Sequence, residues 1–255
     1  MRHITLEEGQ EISPIMRDIY RRLRTNIEFT GLENRAICIT SCFQNAGKST
    51  VSFCLARSFS DDGRTVLLID ADMRNSTFAA VHGMKKNAKG LSNFLSGKEK
   101  LSDVIYETNF PKLFILPTGV FPVNPTELLN KPRFAKLIET VKESFDYVIV
   151  DTPPLGMVVD SAIIAKECDG SILIISADRV SRRVALDVRN QLKQANDYIL
   201  GVVLNQVDMK SKKYGYGYGY GYGRGYGYGY GYGYGYGYGY GNTPDDQKES
   251  DKKEN

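Results

Sequence analysis

The chain has 255 residues, 42% of them hydrophobic, which suffices for one α/β domain with its own core once a C-terminal segment is set aside. Its 33 basic and 30 acidic residues nearly balance, at a formal net charge of +3. The composition therefore gives no reason to expect nucleic acid or an anionic membrane surface as a partner.

Hydropathy and cysteine usage bear on the compartment. No stretch reaches the roughly 18 apolar residues needed to cross a bilayer, and Met1 to Gln10 lacks the apolar centre of a signal peptide. Cys38, Cys42, Cys54 and Cys168 have no paired spacing and no clustered histidine, which is typical of reduced thiols. We therefore expect a soluble cytoplasmic protein, for which any membrane attachment comes through a partner.

In chain order, the first predicted element is a helix that Ser13 caps, with Pro14 in its first turn, and that ends near Gly31. Its apolar residues recur every four positions as one stripe, namely Ile15, Ile19, Leu23 and Ile27.

Beyond this helix, short apolar runs alternate with helical patterns. The runs predict buried strands at 36–40, 66–69, 113–116, 147–150, 171–175 and 199–204. The helical patterns lie at about 48–61, 91–97, 125–144, 160–168 and 181–195. This alternation predicts a three-layer α/β fold, with a mostly parallel sheet covered by helices on both faces.

From Tyr214 to Gly241 tyrosine and glycine alternate almost without exception, interrupted once by Arg224. Glycine at every second position carries a large backbone entropy and offers no side chain to pack. We therefore predict a folded domain over residues 1–211 and a disordered tail over 212–255. A tail that forms β-aggregates or phase-separates remains an alternative.

A phosphate-binding loop is predicted where the strand 36–40 runs into Cys42 to Thr50 and then into a helix, the context that a Walker A motif requires. Backbone amides in this loop are expected to hold the phosphates of ATP, Lys48 to reach the β and γ oxygens, and the Ser49 hydroxyl to bind Mg²⁺. The nucleotide-binding residues of the loop are Asn45, Ala46, Gly47, Lys48, Ser49 and Thr50. Asn45 stands where many such loops carry glycine, and asparagine tolerates a left-handed backbone.

Carboxylates follow two further predicted strands, at the edge where open α/β sheets bind ligands. Asp70 and Asp72 end the strand 66–69, and Asp151 ends the strand 147–150 in a Walker-B-like segment. These positions suit Asp70 and Asp72 to flank a γ-phosphate and Asp151 to hold Mg²⁺ through water. For each aspartate, a turn or helix cap is the alternative.

In these motifs and their order the chain resembles the bacterial tyrosine kinases, or BY-kinases, of capsule and exopolysaccharide synthesis, and among them the stand-alone cytoplasmic kinases of Gram-positive bacteria. The resemblance covers about residues 13 to 241, including the segment from Leu116 to Leu129 and the tyrosine cluster. It implies a P-loop NTPase fold and an ATP-dependent protein-tyrosine kinase. It also implies that Asp70 activates the acceptor tyrosine, that Asp72 and Asp151 support the metal and phosphate site, and that Asn205 contacts adenine. A turn residue at the end of a strand is an equally good interpretation of Asn205.

The acceptors that the resemblance implies are the thirteen tail tyrosines. They are Tyr214, Tyr216, Tyr218, Tyr220, Tyr222, Tyr226, Tyr228, Tyr230, Tyr232, Tyr234, Tyr236, Tyr238 and Tyr240.

The family further implies a ring-shaped homo-oligomer, an octamer being one candidate size, in which one subunit phosphorylates the tail of its neighbour. Asp18, Arg21 and Arg24 match its interface motif, with Asp18 in place of the usual glutamate; a solvated basic helix face is the alternative. A membrane-embedded activator would recruit the kinase to the inner face of the cell membrane, and a tyrosine phosphatase would oppose it.

Two other functions fit parts of the sequence. A positioning ATPase of the ParA and MinD type shares the loop and the aspartates, but its loop normally carries an early lysine that Ser41 to Ala46 lacks. A non-catalytic protein that presents the tyrosine-glycine tail is the second alternative, and the full set of Lys48, Ser49 and the aspartates argues against it.

Overall fold

The computed structural model describes residues 2–7, 13–31, 33–84 and 88–208. The thirteen tail tyrosines and the predicted domain boundary at 211/212 lie outside these ranges, as does the predicted disorder of the tail.

The described chain forms one eight-stranded sheet around which the helices are arranged. In chain order the strands are β1 (Arg2–Ile4), β2 (Ala36–Ser41), β3 (Val66–Asp70), β4 (Tyr106–Thr108), β5 (Leu113–Leu116), β6 (Tyr147–Asp151), β7 (Gly170–Ser176) and β8 (Ile199–Asn205). Their order in the sheet is β1-β4-β5-β3-β6-β2-β7-β8. Every neighbouring pair is parallel except β4 and β5, which confirms the predicted mostly parallel sheet.

Eight α-helices connect these strands within the described ranges. They are α1 (Pro14–Glu28), α2 (Lys48–Asp61), α3 (Phe78–Val81), α4 (Leu91–Leu95), α5 (Pro125–Leu129), α6 (Pro132–Ser144), α7 (Asp160–Lys166) and α8 (Arg182–Ala195). A 3₁₀ turn at Leu101–Asp103 precedes β4.

The core lies on both faces of the sheet, because alternate residues of a strand point to opposite faces. Along β3, Leu67 and Ile69 join the cluster that packs against α6, α7 and α8, whereas Val66 and Leu68 join the cluster beneath α1, α2 and α3. Both clusters are fully buried, as the continuous apolar strands predict, so the three-layer α/β architecture is confirmed.

The single helix predicted over 125–144 is two helices in the structure. Pro132 takes the first position of α6, and a residue before proline avoids the helical region. Lys131 accordingly has an extended backbone, with ψ 144°, and separates α5 from α6. The sequence therefore carried the signal for this break.

Helix α1 is only partly covered. Ile27 is buried and Leu23 packs against the core, together with Tyr20 on a neighbouring position. Ile15 and Ile19, which complete the predicted stripe, are exposed. The first half of the helix thus presents apolar side chains to the surface.

Candidate active site

The phosphate-binding loop lies between β2 and α2, where its backbone adopts two left-handed residues. Asn45 has φ 59° and Gly47 has φ 83°, which confirms the left-handed backbone expected at Asn45. A Cβ on Gly47 would lie 2.3 Å from the Asn205 Nδ2, so a larger residue would displace the Asn205 side chain, and the left-handed backbone itself favours glycine. The backbone amides at the start of the 14-residue α2 follow directly, as anion binding requires.

Asp151, at the end of β6, is buried beside this loop. It accepts hydrogen bonds from Ser49 and from the Ser52 hydroxyl, the latter with Oγ to Oδ1 at 3.2 Å. Burial raises the pKa of Asp151 to about 6, although the Ser49 hydrogen bond and the charge of Lys48 act in the opposite direction. Lys48 is itself buried, and its charge and the Ser49 hydroxyl both act on Asp151, so the structure brings the predicted lysine, serine and carboxylate together.

Asp70 occupies the equivalent position on the adjacent strand β3, directly opposite Asp151. Burial, and secondly the charge of Asp151, raise the pKa of the Asp70 carboxyl to about 7. The Ser76 hydroxyl donates to its Oδ2, while its Oδ1 has no hydrogen-bond partner among the described residues. Asp70 therefore has one buried carboxylate oxygen available to a proton or a cation.

Asp72 shapes the turn that follows β3. Its Oδ1 accepts the backbone amides of Arg74 at 3.2 Å and Asn75 at 2.9 Å. The residue is buried and its charge contributes to the raised pKa of both Asp70 and Asp151. The three predicted aspartates thus form one cluster at the carboxyl edge of the sheet.

An ion-pair node beside this cluster was not found from the sequence. Asp160, buried at the start of α7, accepts two bonds from Arg74, Nε to Oδ2 at 2.6 Å and Nη2 to Oδ1 at 3.0 Å. Its Oδ1 also accepts the Thr126 hydroxyl at 2.7 Å, and Arg74 Nη2 donates to that hydroxyl oxygen at 2.9 Å. The only sequence signal was an aspartate at the first position of a predicted helix, which is also typical of a cap.

The last strand ends at the phosphate loop. The Asn205 side-chain amide donates to Ala46 O at 2.8 Å, and the Gln206 amide donates to Asn45 O at 2.9 Å. These bonds place Asn205 beside the predicted nucleotide site, while its contact with adenine stays a prediction.

The predicted interface residues on α1 separate into two environments. Asp18 and Arg21 are exposed and pair with each other, Nη1 to Oδ1 at 3.2 Å. Arg24 turns inward, where Nη1 donates to Ser58 O at 2.7 Å and Nη2 pairs with Asp62 at 3.0 Å. Arg24 thus ties α1 to α2 within the chain, and its predicted role between subunits is untested.

The donor set of the site suits a nucleotide and a hard cation. Ser49, Asp72 and Asp151 offer hydroxyl and carboxylate oxygens, the ligands that Mg²⁺ prefers, and such sites are completed by phosphate oxygens and water. Within 2–7, 13–31, 33–84 and 88–208, no group of three or more His, Cys, Asp or Glu side chains is placed to hold a metal by itself.

As to membrane segments, none of the helices in the described part of the chain has both the length and the hydropathy to cross a bilayer.

Comparison with known proteins extends over most of the folded part. A family model described as an AAA domain matches residues 34–202. The chain is 46% identical over 198 residues to the tyrosine-protein kinase CpsD of Streptococcus agalactiae serotype III, covering 78% of this chain and 85% of that protein.

Among solved structures, the kinase domain of the Escherichia coli tyrosine kinase ETK is 31% identical with a TM-score of 0.74, covering 84% of this chain and 80% of that one. The septum site-determining protein MinD of Pyrococcus horikoshii, complexed with Mg-ADP, is 28% identical with a TM-score of 0.58, covering 67% and 69%. Both confirm the predicted P-loop NTPase fold. On its identity to CpsD and on the phosphate loop and strand-end aspartates described above, the chain belongs to the bacterial tyrosine-protein kinase family.

Proposed function

We propose that the chain is an ATP-dependent protein-tyrosine kinase that phosphorylates the tyrosines of its own segment 214–240, in trans within a ring-shaped homo-oligomer, and so regulates capsular or exopolysaccharide synthesis. The observation that carries this proposal is the attachment of Asn205 and Gln206 to the phosphate loop, because the described chain then ends close to the phosphate site, six residues before the first acceptor tyrosine, Tyr214. The similarity to proteins named tyrosine-protein kinases supports it.

The acid-base properties of Asp70 suit the transfer to tyrosine. A tyrosine hydroxyl, with a pKa of about 10, is a weak nucleophile at neutral pH. A carboxylate with a pKa of about 7 is close to the best value for accepting its proton at that pH. In the proposed step the tyrosine oxygen bonds to the γ-phosphorus, the bond to the leaving ADP oxygen breaks, and Asp70 takes the tyrosine proton.

The phosphate loop supplies the remaining charge stabilisation. Amides of Asn45 to Thr50 and the Lys48 ammonium bind the β and γ phosphates, and the Asn205 side chain contacts the adenine. Ser49, Asp72 and Asp151 hold Mg²⁺, which neutralises the charge that develops on the phosphate oxygens. The MinD neighbour, whose fold this chain shares, is a complex with Mg-ADP.

Assembly and regulation follow the same proposal. The exposed Ile15, Met16 and Ile19, next to the Asp18–Arg21 pair, give α1 an apolar surface suited to contact with a second copy. A membrane-embedded activator recruits the kinase to the inner face of the membrane, and a tyrosine phosphatase reverses the modification. Phosphorylation of thirteen tyrosines adds about 20 to 26 negative charges, at about 1.5 to 2 each, and this repulsion disperses the ring.

A mixing experiment tests the proposal. A full-length Lys48→Met chain with an intact tail is incubated with MgATP and an active chain whose thirteen tail tyrosines are replaced by phenylalanine, with and without an activator peptide. Phosphotyrosine on the tail of the Lys48→Met chain is the expected result, since only the second subunit carries a working site. ATP hydrolysis without phosphotyrosine would instead favour the positioning ATPase that the MinD neighbour represents, and neither activity would favour a protein that only presents its tail.

A further inference from the structure

Five apolar side chains are more than half exposed in two loops at the carboxyl edge of the sheet. They are Val120, Phe121, Val123, Met157 and Val159, at 53% to 97% exposure, and we call them the apolar rim. The two loops follow β5 and β6, which have only β3 between them in the sheet, so the five side chains are grouped at one edge of the molecule, and exposed apolar side chains grouped in this way mark a site of interaction. The mechanism above uses none of these side chains.

The ion-pair node holds the two loops of the rim next to the catalytic edge. The first loop joins Thr118, whose hydroxyl donates to Asp70 O at 3.1 Å, to Thr126. The second loop ends at Asp160, which accepts both the Thr126 hydroxyl at 2.7 Å and the Arg74 guanidinium. Both loops therefore emerge beside the strand that carries Asp70.

We infer that the apolar rim docks the unphosphorylated tyrosine rings of the segment 214–241, so that rings on either side of the reacting tyrosine position it. This inference rests on the proposed kinase function and names how the acceptor segment is held. The occupant is a segment of this chain, from the same subunit or from a neighbouring copy.

The reach of the tail permits this docking. The loop after β6 lies three strands from β8, and the loop after β5 lies five, so at about 4.8 Å per strand they are about 14 and 24 Å from the end of β8. The described chain ends at Asp208, and the six residues to Tyr214 extend to at most about 20 Å. Within one subunit, a fully extended tail is therefore long enough to bring Tyr214 to the nearer loop and the later tyrosines to both.

The chemistry of the segment matches an apolar rather than a charged surface. In an extended tyrosine-glycine repeat every ring lies on one face, with neighbouring rings about 7 Å apart. Such rings bury apolar area against valine, methionine and phenylalanine. A phosphorylated ring carries about 1.5 to 2 negative charges beside Asp70, Asp72 and Asp151, so the product is repelled.

Photo-crosslinking tests the docking without relying on catalysis. The full-length Lys48→Met chain carries benzoylphenylalanine in place of Val123, and the control carries it in place of Leu186, an exposed apolar residue of α8. Mass spectrometry of the digest then maps the crosslinks. The tether gives the segment a millimolar effective concentration at both positions, so docking alone distinguishes them, and we expect at least about tenfold more crosslinks to 214–241 from position 123. Equal yields from both positions, or crosslinks from 123 to the folded part of a second copy, would overturn the inference.

Kinetics on the active full-length chain provide a second readout. Phe121→Ser with Val123→Ser should raise KM for an added peptide of four tyrosine-glycine repeats about fivefold, as for lost apolar contacts, with kcat unchanged. A peptide with one tyrosine, and the Leu186→Ser control, should show no such change. Equal effects on both peptides would contradict docking of neighbouring rings. Absence of phosphotyrosine in the unsubstituted chain would reject the proposed function, while the crosslinking result would still decide the docking.

Discussion

Asp70 and Asp151 lie directly opposite each other at the carboxyl ends of adjacent parallel strands, and both carboxyl groups are buried. The amide of Ala71 donates to Asp151 O at 2.8 Å, which fixes the two strand ends together. Burial and then the charge of Asp151 raise the pKa of Asp70, and burial together with the charge of Asp72 raises the pKa of Asp151. The buried carboxylates therefore favour the binding of protons or cations, and a nucleotide-metal complex would supply the cation.

The buried Asp70 should make stability depend on pH. Its pKa is about 7 in the folded chain against an ordinary 3.8, so its favourable contribution to stability is complete below about pH 4 and is lost as the pH rises through about 7. Asp70→Asn removes this loss. Thermal unfolding without nucleotide should show the variant at least about 2 °C more stable than the unsubstituted chain at pH 8, with a smaller difference at pH 5.

The exposed Asp197, whose side chain is 87% accessible, provides the control for this measurement. Asp197→Asn should give a difference that does not grow from pH 5 to pH 8. A constant difference for Asp70→Asn as well would show that the carboxyl keeps an ordinary pKa in the folded protein.

Substitution of Gly47 should abolish nucleotide binding. Gly47→Ala places a Cβ 2.3 Å from Asn205 Nδ2, which displaces the Asn205 side chain from the loop, and it strains a backbone with φ 83°. Saturating MgADP should stabilise the unsubstituted chain by about 5 °C or more, and the variant by none. Gly201→Ala is the matched control because a Cβ there meets nothing within 4 Å. Retention of the full nucleotide shift in Gly47→Ala would contradict the assigned loop geometry.

The ion-pair node of Asp160, Arg74 and Thr126 should contribute to the stability of the fold around the site. Asp160→Ala leaves Arg74 and the Thr126 hydroxyl without their acceptor, and because Arg74 is 40% exposed we expect a loss of only about 1–3 kcal/mol in the free energy of unfolding. Asp160→Asn, which keeps the shape and one acceptor oxygen, should lose less. Denaturant titration orders the two variants, and losses near zero in both would mean that the side-chain bonds contribute little.

Two of the four arginines of α1, Arg21 and Arg24, should act differently. Arg21 is exposed, so Arg21→Ala should leave the unfolding temperature unchanged and lower the mass of any oligomer in sedimentation experiments. Arg24 bonds to Ser58 O and Asp62 inside the chain, so Arg24→Ala should lower the unfolding free energy by about 1–3 kcal/mol. An unchanged oligomer mass for Arg21→Ala would remove this face of α1 from the proposed ring contact.

The sequence predicted the sheet well because its central strands are continuous apolar runs bounded by polar residues. It missed β1 and β4, since three-residue strands at one side of the sheet leave no periodic pattern. The phosphate loop and three aspartates were predictable because each follows a strand directly. The contact between Asp160 and Arg74 could not be predicted, because the two residues are 86 positions apart in the sequence and meet only through tertiary packing. The four-residue spacing of the apolar residues in α1 also could not predict which of them are exposed.

The central claim is that the Lys48 and Asp70 site transfers phosphate to the tail tyrosines. The most direct measurement is phosphopeptide mapping of the full-length protein after incubation with MgATP and activator peptide, compared with Lys48→Met, Asp70→Asn and a chain with thirteen tail phenylalanines. The account predicts phosphotyrosine within 214–240 of the unsubstituted chain and at least about a hundredfold less in Asp70→Asn. It predicts no phosphotyrosine in Lys48→Met or in the chain with thirteen tail phenylalanines. Phosphotyrosine that persists in Lys48→Met, or ATP hydrolysis with no phosphotyrosine in any chain, would contradict it.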